Sequence, residues 1–206
     1  PVTPFQQNCT LIWDDETKQG VVVDPGGDAE RIQEAIQQAG FTVRRILLTH
    51  GHLDHAGAAT ELAEALGVPI EGPHRADAFL LDGLPAQGAK YGMDCKPVTP
   101  DRWLEEGDTV EIAGQDFAVL HCPGHTPGHV VFVNAGLGFA LVGDVLFQGS
   151  VGRTDFAYGD TQALISSIRE KLFPLGDDIR FVCGHGPGST FGAERRTNPY
   201  AGEGAR

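Results

Sequence analysis

A chain of 206 residues that is 41% hydrophobic holds one full domain, taken as residues 1–206, with a sizeable core. Its formal net charge of −13 argues against a general nucleic-acid surface and against an anionic-membrane surface. No apolar run approaches the roughly 18 residues of a bilayer-spanning helix, and Cys9, Cys95, Cys122 and Cys183 lie far apart without a CxxC pair, so reduced thiols in a cytoplasm are expected.

Residues 9–13 and 20–23 are short apolar runs joined by a polar stretch, and they read as a hairpin. Asp24-Pro25-Gly26-Gly27-Asp28 turns the chain into a helix on which Ile32, Ala35, Ile36 and Ala39 recur at helical spacing, with Asp28 as N-cap and Gly40 as the stop. Residues 43–49 form a strand with a continuous apolar centre, as in a covered sheet. A second helix is predicted over 58–66 with Leu62, Ala65 and Leu66 inward, then a short strand at 68–70 and a short helix over 74–81 that His74 caps or opens at the surface. Residues 82–102 have no clear period and read as a long loop of the kind that often carries function. Strands follow at 109–112, 117–121, 130–133 and 139–142. A helix over 161–172 puts Leu164, Ile165, Ile168 and Leu172 on one face, residues 179–183 make the final strand, and the tail after Gly192 reads as polar and peripheral. Strands alternating with helices in both halves predict covered sheets in a layered α/β domain.

The first strand of that covered type runs into Thr49-His50-Gly51-His52-Leu53-Asp54-His55. Neutral imidazoles and ionised carboxylates are the nitrogen and oxygen donors that divalent transition ions take, and such density at a strand–helix junction points to a metal site. Three later points supply further donors, each directly after a predicted strand: the run from His121 through His125 to His129, Gly143-Asp144, and Gly184-His185. His121 and His129 are expected to support ligands rather than ligate. Cys183 is expected to be a packed strand cysteine, and Asp24 either orients a liganding histidine or serves its Asp-Pro-Gly turn.

The motifs THGHLDH, PGHTPGH, GD and GH, in this order over nearly the whole chain, resemble the metallo-β-lactamase superfamily. Within it the sequence is most similar to the glyoxalase II-like (hydroxyacylglutathione hydrolase-like) branch, in the short form lacking the C-terminal helical domain. The resemblance implies an αββα sandwich of two mixed β-sheets flanked by helices, with two divalent metal ions at one edge. It places one ion on His50, His52 and His125 and the other on Asp54, His55 and His185, with Asp144 bridging. Zinc is expected, and iron or manganese suits the same donors. The implied reaction is hydrolysis of a small-molecule thioester, S-D-lactoylglutathione or a related acyl-thioester, by a metal-bound hydroxide with Asp54 and Asp144 at the catalytic centre. A thiolate of pKa about 8.5 leaves without a strong general acid, which suits a site with few proton donors.

The chain departs from the long forms in two places. Gly186-Pro187-Gly188 stands where they carry a tyrosine, and Arg153 corresponds to their lysine after the bridging aspartate. Arg153, and after it Lys90, are therefore the candidates for holding an anionic glutathione conjugate. The run Gly152-Arg153-Thr154-Asp155-Phe156 also resembles persulfide dioxygenases with a single iron, but His129 and a complete second ligand set favour the hydrolase. A lactonase and a non-catalytic metal-binding domain are lesser alternatives; the latter would show a lost ligand, and none is lost.

Overall fold

The computed structural model describes residues 1–205. Strands β1 (Thr10–Trp13) and β2 (Gln19–Val23) form the expected antiparallel hairpin, followed by helix α1 (Ala29–Ala39) and strand β3 (Thr42–Leu47). Two short helices come next, α2 (Leu53–Ala56) and α3 (Ala59–Leu66), then strand β4 (Ile70–Glu71). A 3-10 turn at Arg75–Asp77 leads into α4 (Ala78–Asp82) and α5 (Leu84–Tyr91). The second half begins with β5 (Thr109–Ile112), β6 (Gln115–His121), β7 (Val130–Asn134) and β8 (Phe139–Gly143), and a small hairpin of β9 (Leu146–Phe147) and β10 (Ser150–Val151) follows. Helix α6 (Thr161–Ser166) runs on through wider turns to Leu172, and β11 (Arg180–Cys183), β12 (Ser189–Thr190) and α7 (Phe191–Thr197) close the chain.

These elements make two mixed sheets, one ordered β1-β2-β3-β4 and the other β12-β11-β8-β7-β6-β5. Parallel pairing occurs where a helix intervenes: α1 between β2 and β3, α3 between β3 and β4, and α6 between β8 and β11. Val21, Val23 and Leu47 of the first sheet pack on Val119, Phe132 and Leu141 of the second, forming the inner layer. On the outer faces, Ile32, Ile36 and Leu62 cover Val22 and Ile46, while Leu164, Ile168 and Leu172 cover Val131, Val133 and Phe181. Successive residues of β7 thus serve both layers, which is why its sequence reads as an unbroken apolar run. Burial of each such Val, Leu or Ile contributes about 1.5–3 kcal/mol. The architecture is an αββα sandwich. Among the described residues no helix is long and apolar enough to cross a membrane.

Four local expectations are corrected. Asp28 stands at the N-cap position of α1 as expected, at φ 53°, but its side chain caps no N–H of the helix; the carboxylate instead accepts the Thr3 N–H at 2.7 Å. Leu62 is buried as expected, but Ala65 is exposed and Leu66 only half-buried, and α3 turns Ala59 inward instead. Residues 82–102 are not one loop: α5 forms there, burying only Leu84 and Gly88, too few apolar positions to show a period. A Cβ at Gly88 would lie 2.5 Å from the Met93 carbonyl, so the close return of the chain requires glycine there. Finally, 179–183 is not the last strand and the tail is not peripheral. Glu194 is buried in α7, where its carboxylate accepts the Gly149 N–H (2.8 Å), the Ser189 hydroxyl (2.6 Å) and the Asn198 amide (2.9 Å). A buried polar cluster with every group paired leaves no hydrophobic trace in sequence.

Candidate metal centre

The histidines are aimed by what holds their far sides. Asp24, at φ 52° just after β2, accepts the Thr49 backbone N–H (2.7 Å) and the Thr49 hydroxyl (2.6 Å). With its proton committed to Asp24, the Thr49 oxygen can only accept from His50 Nδ1, 3.1 Å away, which leaves His50 Nε2 with a free lone pair. The same Asp24 accepts from His55 Nδ1 at 2.9 Å and frees His55 Nε2 in the same way. His125 Nδ1 donates to the Arg153 carbonyl at 2.7 Å. His52 is turned the other way round: its Nε2 meets the Tyr158 hydroxyl at 2.9 Å, so Nδ1 faces inward.

The freed atoms converge in two triads. His52 Nδ1 lies 3.1 Å from His50 Nε2 and 2.9 Å from His125 Nε2, three lone pairs pointed at one spot. Asp54, His55 and His185 make the second triad, with Asp54 Oδ2 at 3.1 Å from His185 Nε2 and 3.9 Å from His55 Nε2. Asp144 stands between them: Oδ2 is 3.6 Å from both His125 Nε2 and His185 Nε2, and Oδ1 is 3.3 Å from His55 Nε2. His55 Nε2 and Asp144 Oδ1 are buried without a hydrogen-bond partner. Buried polar atoms left without a partner, beside converging imidazole nitrogens and carboxylate oxygens, fit a divalent metal site. Gly184 closes the floor, where a Cβ would fall 2.0 Å from Asp144 Oδ1; a register shift between Val182 and Cys183 in β11 delivers it there.

Electrostatics divide the two triads: the three-histidine set is held neutral, whereas beside the carboxylates His55 and His185 hold a proton more tightly, one that a bound cation would displace. Burial, then the neighbouring imidazoles, holds His50 well below the usual histidine pKa and His52 at about 3, while burial also lowers His125. Burial would lower His55 too, but the Asp144, Asp54 and Asp24 carboxylates outweigh it and raise His55 well above the ordinary value. Burial would raise Asp144, yet the His55, His125 and His185 imidazoles hold it well below the carboxylate range.

The other expected residues separate. His129 accepts the Asp144 backbone N–H through Nε2 at 3.0 Å and stacks on His50 with centroids 4.6 Å apart, so it positions two of the converging groups. His121 does not touch the triads: Nε2 is 2.8 Å from the Pro127 carbonyl and the ring stacks on His74, because β6 ends before the chain turns toward the centre. Lys90 is exposed on α5 and does not line the cavity, since the helix turns Gln87 and Tyr91 toward it instead. Arg153 does line the cavity, with its guanidinium paired to Asp155. The Cys183 thiol donates to the His185 and Pro187 carbonyls, and burial pushes it up to about 11, so it stays protonated. His74 accepts the Ala76 N–H at 3.1 Å as a cap.

Tyr158, which aims His52, and Asp77 went unnoticed in the sequence. Asp77 is fully buried and accepts the Gly51 N–H (2.9 Å), the Thr126 hydroxyl (2.7 Å) and the Gly128 N–H (2.6 Å). It ties the loop carrying His50 and His52 to the loop carrying His125 and His129. A Cβ at Gly128 would meet the Asp77 nitrogen at 2.6 Å, so that motif glycine is there for close approach.

Residues 2–185 match the sequence profile described as the metallo-β-lactamase superfamily. The chain belongs to that superfamily. It is 50% identical over 202 residues to hydroxyacylglutathione hydrolase GloC of Haemophilus influenzae, covering 97% of this chain and 95% of the relative. Among solved structures, TTHA1623 in a di-iron-bound form superposes with a TM-score of 0.86 at 40% identity, covering 97% of both chains. The B3 metallo-β-lactamase BLEG-1 superposes with a TM-score of 0.88 at 35% identity, covering 98% of this chain and 97% of the other. The protein is accordingly a metallo-hydrolase of the metallo-β-lactamase superfamily, similar to hydroxyacylglutathione hydrolase, and its paired His/Asp clusters are those of a metal-dependent enzyme.

Proposed function

We propose that this metallo-hydrolase cleaves small acyl-thioesters of the hydroxyacylglutathione type, with residues 1–206 acting as one catalytic unit. His50, His52 and His125 would hold one divalent ion and Asp54, His55 and His185 the other, with Asp144 shared. The observation that carries this reading is the presence of two triads with Asp144 between them, its two oxygens within 3.6 Å of imidazoles from both. Zinc, iron and manganese all suit the donor set, and the di-iron form of a 40% identical relative supports double occupancy. A bound pair of such ions supplies an activated water near neutral pH and a Lewis acid for the thioester carbonyl.

The chain's own residues do the rest. Asp24, Thr49, the Arg153 carbonyl and Tyr158 fix which nitrogen of each imidazole faces inward, so no reorganisation is needed when substrate arrives. Asp54 is kept ionised by His55 and His185 against the upward pull of burial, and its Oδ2 faces the centre where it can take the proton of the attacking water. Phe156, 5.0 Å from the His52 ring, and Phe147, 6.3 Å from the His185 ring, line the approach to the centre with apolar surface.

The test compares metal-defined protein with and without oxygen on S-D-lactoylglutathione and on glutathione persulfide. Thiol release from the thioester at equal rates under both atmospheres is expected. Oxygen consumption with the persulfide and no thiol release from the thioester would replace hydrolysis with the dioxygenase reaction.

A further inference from the structure

Four of the five imidazoles in the two triads are aimed by a hydrogen bond to the ring nitrogen that faces away from the centre: His50 by Thr49, His52 by Tyr158, His55 by Asp24 and His125 by the Arg153 carbonyl. His185 is the exception. Its Nε2 faces Asp54, and among the described residues no hydrogen bond reaches its Nδ1. Its direction is therefore set by the backbone that carries it. That backbone is the run Gly184-His185-Gly186-Pro187-Gly188, and a glycine on either side of the histidine gives the loop little stiffness of its own. The Gly184 N–H donates to the Gly143 carbonyl at 2.8 Å, and the Cys183 thiol, a weak donor, reaches the His185 and Pro187 carbonyls.

The stronger anchor comes from the opposite end of the chain. Just before β1, Gln7 pairs with His185 in an isolated antiparallel bridge, and the Asn8 N–H donates to the Gly184 carbonyl at 2.7 Å. Asn8 Nδ2 then donates to the Cys183 and Gly186 carbonyls, each at 2.9 Å, so one side chain clasps the loop on both sides of the histidine. Two carbonyl acceptors also settle which way the amide points, since an oxygen in that place could accept nothing. Gln7 is fully buried, with its amide 3.4 Å from His55 Nδ1. Residues 7 and 8 thus touch both histidine-bearing sides of the Asp54/His55/His185 triad, and among the described residues none of their hydrogen bonds reaches the other triad.

We propose that Asn8 is a positioning residue for one of the two metal sites. By fixing residues 183–186 it presents His185 Nε2 to the centre, so the Asp54/His55/His185 triad depends on this clasp for its affinity and the His50/His52/His125 triad does not. The inference rests on the two-ion reading of the proposed function. The test titrates zinc into metal-free wild type, Asn8→Asp and Asn8→Ala in competition with a chromophoric chelator, which gives separate constants for the first and second ion. Asn8→Asp keeps the shape and the backbone bond but turns a carboxylate oxygen toward two carbonyl oxygens. Asn8→Ala removes the clasp without adding charge, and carries the test alone if circular dichroism shows the aspartate variant unfolded. The first ion is expected to bind within about threefold of wild type and the second about 10- to 100-fold more weakly, the loss that follows removal of a support behind a liganding histidine. A residue that merely stabilised the fold would weaken the two ions alike. Equal loss at both ions, or a second ion held as in wild type, would therefore overturn the positioning role and leave the two-ion reading standing. A wild type that takes up one zinc at saturation would overturn both.

Discussion

Replacing Asp77 by alanine should loosen the two ligand-bearing loops at once. The substitution strands the Gly51 and Gly128 N–H groups in a buried setting, while the Thr126 hydroxyl can rotate to another acceptor. Each stranded donor costs about 1–3 kcal/mol, and relief of the carboxylate's own desolvation, visible in the upward shift that burial imposes on Asp77, offsets part of this. A net loss of about 3 kcal/mol is expected, which for a chain of this size lowers Tm by about 6–12 °C. Asp77→Asn keeps the volume and one acceptor, so it should lose about half as much. Because Gly51 lies between His50 and His52, the triad these two residues form with His125 should also lose its ion more readily than the wild type. Calorimetry of chelator-treated protein reads the first effect, and elemental analysis after desalting the second. An Asp77→Ala protein that melts within about 2 °C of wild type and keeps two ions would refute the reasoning, since it would mean that water replaces the carboxylate at no cost.

Asp144→Ala should weaken both ions, whereas His185→Ala should mainly empty the Asp54/His55 side; elemental analysis of saturated variants distinguishes them, and a wild type that binds one ion at saturation would remove the dinuclear reading. Gly184→Ala should abolish metal uptake because its methyl would fall 2.0 Å from Asp144 Oδ1. By contrast Gly186→Ala, at φ 70° with open space around it, should bind both ions and lose only about 1–2 kcal/mol in denaturant unfolding. Burial pushes the Cys122 thiol up to about 12 and that of Cys183 up to about 11, so peptide mapping after iodoacetamide at about pH 8 should find both unmodified in native protein and alkylated after unfolding.

Where the fold was legible, one period dominated one element. Ile32 and Ile36 on α1, and Leu164, Ile168 and Leu172 after Asp160, announce helices because a single face of each meets a sheet. The strands β7 and β8 announce themselves because both faces are covered. Helix α5 gave no such sign. It is short, it lies among α2 and α4 rather than on a sheet, and its packing surface is made by the absence of a side chain at Gly88. The tail misled for the opposite reason: Glu194 and Asn198 look like surface residues, and they are buried because they bind each other and the backbone of Gly149 and Ser150.

The same division runs through the metal centre. Donor atoms must be side chains of a few types, and loops after strands β3, β6, β8 and β11 bring them in as short motifs, so the ligand candidates could be read from adjacency alone. Their orientation could not. His125 is aimed by a carbonyl that belongs to Arg153, a backbone group every residue possesses, and His52 by Tyr158, 106 positions away in sequence. Asp77 sits in the unremarkable run Arg75-Ala76-Asp77-Ala78, and its partners are 26, 49 and 51 residues distant. A residue whose work is to accept hydrogen bonds from glycine N–H groups leaves no compositional mark at either end. What would betray it is the pairing itself: a carboxylate with no cation near enough to need it, opposite two motif glycines whose hydrogens alone allow it to come so close.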